Sequence, residues 1–103
     1  MNIGNSMERL IREEARLIIL RTLAGQPDFR LHSDLLRLSL EGFGIRRTRE
    51  WVHAEIRYLE QIGAVTVTEA GSVLVAALTS RGEDHVAQRA VLDAVKRPSP
   101  PSV

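Results

Sequence analysis

Two changes of hydrophobic period predict an α+β domain of the winged helix-turn-helix class. Apolar residues recur at helical three- and four-residue steps in three successive segments up to Ile62. From Val65 the chain becomes β-branched, in two short runs joined by Glu69-Ala70-Gly71-Ser72. Helical signals return at Thr79. The order is helix, short extended piece, helix, helix, hairpin, helix. It is the order of a helix-turn-helix followed by a β-wing of two or three strands. The 103 residues, 44% of them apolar, suit one domain with one core.

The first helix is expected from Asn5 or Ser6, both good caps, to about Ala24. Leu10, Ile11, Ala15, Ile18 and Leu23 form its stripe, and Gly25-Gln26-Pro27 stops it. The run Leu17-Ile18-Ile19-Leu20 is apolar on more than one side, which suits a central helix or one that also serves a dimer. Phe29-Arg30-Leu31 reads as a short extended piece. Ser33 or His32 then caps a second helix carrying Leu35, Leu36, Leu38 and Leu40, ended by Gly42-Phe43-Gly44. Thr48 is the expected cap of a third helix running to Gln61 or Ile62, with Val52, Ile56 and Leu59 as its buried stripe and Ile45 packing ahead of the cap. Gly63 suits the left-handed residue that closes such a helix. Val65–Thr68 and Val73–Leu78 form the hairpin. Thr79 or Ser80 caps a fourth helix, with Val86 and Ala90 facing inward. The winged-helix domain spans residues 1–94. Residues 95–103, which hold three of the four prolines, form a Pro/Ser-rich tail or docking strap.

Lys and Arg number 14 against 13 acids, a net charge of +1, so any attraction for an anion must come from local clustering. The absence of cysteine excludes a disulfide scaffold and a thiolate zinc site. The start lacks a basic region followed by an apolar one, and the Leu17–Leu20 run is far short of a membrane span. A cytoplasmic protein is expected.

The strongest functional cluster is Arg46, Arg47 and Arg49 at the entry to the third helix, with Thr48 and His53 nearby. In a helix-turn-helix this end of the recognition helix meets base edges. The guanidinium fork pairs bidentately with guanine or phosphate. Arg49, His53 and Arg57 recur at four-residue steps, away from the apolar stripe. The expected DNA-binding set is therefore Arg46, Arg47, Thr48, Arg49, His53 and Arg57. The competing reading is a solvated face, since Glu50 and Glu60 can pair with these arginines. The loop of the wing carries no cation, and Glu69 there would repel phosphate.

Trp51 and Tyr58, seven apart, share a helix face and suit packing against the second helix or a partner chain. His32, His53 and His85 lie on three separate elements without metal-ligand spacing. His32 suits a position near a cap, and His85 an exposed face. Arg89 and Asp93 suit a helix-surface pair, or lie past the helix end. No GxSxG, P-loop or GxGxxG motif is present, so no enzyme, cofactor or metal is expected.

Arg16–Ala24, Val73–Gly82 and Val95–Pro100 resemble the small winged-helix proteins of Mu-like transposable phages and prophages, over about residues 9–100. Such proteins are loosely described as ArsR-like, but the metal-sensing cysteines of ArsR sensors have no counterpart here. The resemblance implies a winged helix, a phage context and a homodimer formed through terminal helices; the alternative to the homodimer is a monomer in which the C-terminal segment folds back over the first helix. The expected function is non-catalytic binding of double-stranded DNA, as a phage or prophage transcriptional regulator. The alternative is a protein-interaction module in phage assembly or packaging, with another phage protein as partner.

Overall fold

A computed structural model describes residues 3–99, with side chains described from Ser6. Pro100–Val103, the end of the expected tail, lie outside the described residues. The elements follow the expected winged-helix order: α1 Ile3–Ala24, β1 Arg30–His32, α2 Ser33–Gly42, α3 Arg49–Gln61, β2 Val65–Ala70, β3 Val73–Leu78 and α4 Ser80–Val86. Three antiparallel strands form one sheet in the order β1-β3-β2. β3 pairs with both neighbours, Leu31 opposite Ala76 on one side and Val67 opposite the same residue on the other.

Helix α1 is the central pillar. Leu17, Ile18, Ile19 and Leu20 are all buried, because α2, α3, α4 and the sheet all pack around this helix. Leu36 and Leu40 of α2 and Val52, Ile56 and Leu59 of α3 complete the core. Leu10, expected in the stripe of α1, is exposed, because the buried part of that helix begins at Ala15. On α2, Leu35 and Leu38 are exposed, each a step round the helix from buried Leu36 and Leu40. Helix α1 begins at Ile3, so Asn5 and Ser6 both lie inside it rather than capping it.

Thr48 caps α3 as expected, its hydroxyl accepting the Trp51 N–H at 3.2 Å. Thr79 does the same for α4, accepting from Gly82 N–H at 3.1 Å, and also donates to the Gly63 carbonyl at 2.7 Å. Gly63 adopts the left-handed conformation, φ 80°. Gly82 is required for a different reason. A Cβ there would collide with the carbonyl oxygen of Ala64 and approach the Leu78 side chain to 2.7 Å. Its absence lets α4 close onto the backbone at the start of β2.

Beyond α4 the chain follows the expected alternative in which the C-terminal segment returns over the first helix, while α4 itself is shorter than expected. The helix stops at Val86, where Gln88 turns with φ 63°, so Ala90 lies outside it and is exposed. The following segment runs back over α1, burying Leu92, Val95 and Pro98. His85, expected on an exposed face, is fully buried beneath it. Its Nδ1 accepts the Leu92 N–H at 3.0 Å, which leaves Nε2 to donate to the Lys96 carbonyl at 2.9 Å. Arg89 and Asp93 lie past the helix end, the second of the two expectations for them, and Arg89 pairs instead with Asp84 at 2.9 Å.

Candidate nucleic-acid interface

α2 and α3 form the helix-turn-helix, joined by the turn from Phe43 to Thr48. The inner side of α3 is sealed, with the apolar row Val52, Ile56 and Leu59 beside the buried carboxylate of Glu55. Its outer side presents Arg49, Glu50 and Ala54 to solvent, with Arg46 just ahead of the helix. The Arg46 side chain is 87% exposed, and its nearest carboxylate, Glu41, is 3.8 Å away. Arg49 reaches Asp34 at the start of α2 at 3.3 Å. The Thr48 hydroxyl is engaged as the helix cap and remains exposed.

The other three expected residues are held more closely. Arg47 turns back toward α1, 3.0 Å from Glu8, with its guanidinium 5.2 Å from the centre of the Trp51 ring. His53 is half-buried. Its Nε2 lies 3.0 Å from the hydroxyl of buried Ser33, which also accepts the Leu74 N–H at 3.0 Å. The histidine thereby ties α3 to the N-terminus of α2 and to β3. Arg57 bridges Glu60 at 3.0 Å and Glu69 of the wing at 2.6 Å. The hydrogen bond to Glu60, with the charges of both carboxylates, raises the Arg57 pKa above its ordinary value. Glu69 was expected to repel phosphate from the wing; here it fastens the wing to α3.

Two further exposed residues of this face, Glu50 and Ala54, were not among the expected binding residues. Glu50 is an acceptor suited to the cytosine amino group, and Ala54 is small enough to admit a thymine methyl. Their four-residue spacing alone places them together on the face.

The aromatic pair flanks α1 rather than α2. Trp51 packs at the core margin and donates from Nε1 to Glu8 at 3.0 Å. Tyr58 lies beneath the Arg16 guanidinium, 3.9 Å from its ring centre, and donates to the Asp93 carbonyl. Arg16 also donates to Glu55 and to the Ala94 carbonyl, each at 2.8 Å. Glu55 is 4% exposed, a buried carboxylate that composition and motif reading passed over. The signal was present: Glu55 falls three after Val52 and four before Leu59, inside the buried row.

Among the described residues no cluster of metal-ligating side chains occurs, and no helix is long and apolar enough to cross a membrane.

No family model matches the chain. Solved chains similar in fold include hsRosR in two complex structures, each with a TM-score of 0.61 at 21% identity, covering 72% of this chain and 65% or 64% of the other. Sco3205, a MarR family transcriptional regulator from Streptomyces coelicolor solved in complex with DNA, is similar with a TM-score of 0.57 at 21% identity. That match covers 84% of this chain and 62% of Sco3205. The chain thus spans just under two thirds of these solved proteins, and the likeness establishes a winged-helix fold. In sequence the chain is 34% identical over 91 residues to the uncharacterized protein gp26 of Escherichia phage Mu, covering 88% of this chain and 94% of that protein. With that identity over nearly the whole of both sequences, the chain belongs to the family of Mu gp26.

Proposed function

We propose that the protein binds duplex DNA without catalysis, as a phage or prophage transcriptional regulator, with α3 in the major groove. The observation that carries this reading is the outer face of α3: Arg46, Arg49, Glu50 and Ala54 are open to solvent, while the apolar row opposite is sealed. Arg46 and Arg49 contact phosphate and guanine, and Thr48 phosphate. His53 and Arg57 lie along the flanking backbone, and the wing contributes little. The fold shared with Sco3205, solved with DNA, and the Mu relative support this assignment.

Each outer arginine has a carboxylate neighbour, so binding is an exchange of carboxylate for phosphate. Exposed ion pairs of this kind are worth about 0–1 kcal/mol, so the exchange is feasible and the affinity low. Three or four phosphate contacts give a log–log salt slope of about −3 to −4. Anisotropy of a labelled duplex across a salt series tests this. Arg46, Arg47 and Arg49 changed together to Ala give a shallower slope. Salt-independent behaviour that the triple variant leaves unaltered rejects the reading.

A homodimer doubles these contacts. Sedimentation at micromolar concentration shows a species larger than 11.5 kDa if it forms. A second reading, docking of another phage protein in assembly or packaging, is favoured by one feature. Phe43, 68% exposed, and Leu10, 54% exposed, border a groove of about 410 Å³ with Ile11, Ile45 and Lys96.

A further inference from the structure

Three donors meet on one carboxylate where α1 passes the start of α3. Glu8 receives the Trp51 indole N–H at 3.0 Å, with Arg47 Nη2 at 3.0 Å and Arg12 Nε at 3.5 Å. Indole and guanidinium groups are donors only, so their convergence defines an anion-binding pocket. It is not a closed structural pair. The Glu8, Arg12 and Arg47 side chains keep 31%, 47% and 32% of their surface in solvent.

The surroundings extend the same chemistry. An open cleft of about 430 Å³, lined by Arg46, Arg47, Thr48 and Trp51, adjoins the pocket on the α3 side. On the α1 side a second cleft of about 360 Å³ is lined by Arg9, Arg12 and Arg16 together with Glu8 and Glu13. The seam therefore carries guanidinium groups from Arg46 at the outer end of α3 to Arg9 on α1, interleaved with the carboxylates of Glu8 and Glu13.

We propose that this pocket is a site for a DNA-backbone phosphate, filled in the free protein by Glu8, which acts as an intramolecular competitor. This rests on the DNA-binding reading of α3 and deepens it. The footprint extends onto α1, and a single carboxylate limits the affinity. When phosphate enters, the Glu8 carboxylate swings to solvent, which its position on the surface of α1 allows. Arg47 and Arg12 then each have a phosphate oxygen in place of a carboxylate oxygen. No charge is left buried in either state.

The test compares wild type with Glu8→Gln for a labelled duplex of about 20 base pairs across a salt series. Glutamine keeps an oxygen for Trp51 Nε1 and removes the competing charge. The expected result is roughly three- to eightfold tighter binding near 0.1 M salt, with a slope steeper by about 0.9 for each phosphate gained. Combining E8Q with Arg47→Ala abolishes the gain. Arg12→Ala, on the exposed side of the pocket, weakens wild-type binding and makes the slope shallower. It reads the same contact even where E8Q alters folding. If E8Q leaves affinity and slope unchanged or weaker in a folded protein, or R12A has no effect, Glu8 is no competitor and the proposal falls. The α3 reading then stands as long as wild-type binding depends on Arg46 and Arg49. If neither wild type nor E8Q binds duplex, both fall together.

Discussion

Guanidinium–carboxylate pairs flank helix α3 on both sides, and the two sets differ in what surrounds them. Inside, Glu55 and Arg16 meet at 2.8 Å with 6% and 11% of their side-chain surface exposed. That pair is completed by a backbone carbonyl and an aromatic face. Outside, Arg46–Glu41 and Arg49–Asp34 are longer, at 3.8 and 3.3 Å, and water reaches both. The partners are chemically alike, but the inner pair cannot exchange its partner for solvent and the outer pairs can. Pairing alone therefore does not mark an arginine as structural. Burial and the number of other bonds do, and by that measure the outer set remains available to a ligand.

The contrast breaks most sharply at Glu55. Glu55→Ala leaves Arg16 as a buried cation without its counter-charge, and should cost about 3–5 kcal/mol in a denaturation series. A loss under about 1 kcal/mol would put the inner pair on the same footing as the outer ones. His85→Leu extends the comparison to the C-terminal segment. It strands the Leu92 N–H and the Lys96 carbonyl, for about 1–3 kcal/mol, and raises amide exchange in residues 92–98 before the rest of the domain. Gly82→Ala tests the packing that seats α4. The clash with the Ala64 carbonyl should cost about 1–3 kcal/mol in a urea denaturation series, with α3 helicity retained. The smallest effect sharpens the outer side. Arg46→Ala and Arg49→Ala each shift stability by less than about 0.5 kcal/mol in a thermal melt, because exposed pairs contribute little. The same variants weaken duplex binding, so stability and affinity separate.

These differences also mark what was legible from residue order. The helices and the hairpin followed from local period, and the Thr48 and Thr79 caps from residue type at a boundary. What the sequence could not convey was contact between distant segments. Arg47 reads as a groove-facing cation beside Arg46 and Arg49, yet Glu8 and Trp51 draw it back toward α1. His85 looks exposed until the proline-rich segment returns over it, an event with no periodic signature. Glu55 was disguised by its charge, although its spacing placed it in the buried row. β1 lies at Arg30–His32, one residue later than expected, because its limits are set by pairing with β3 and not by its own composition.

The account turns on whether the outer arginines exchange partners while the inner one does not. Side-chain Nε–Hε NMR of the arginines during titration with duplex DNA reads this directly. The Arg46 and Arg49 signals should move with increasing DNA and return when salt is added, while Arg16 stays in place. Outer signals that remain fixed through the titration, or an Arg16 signal that moves with them, would contradict it.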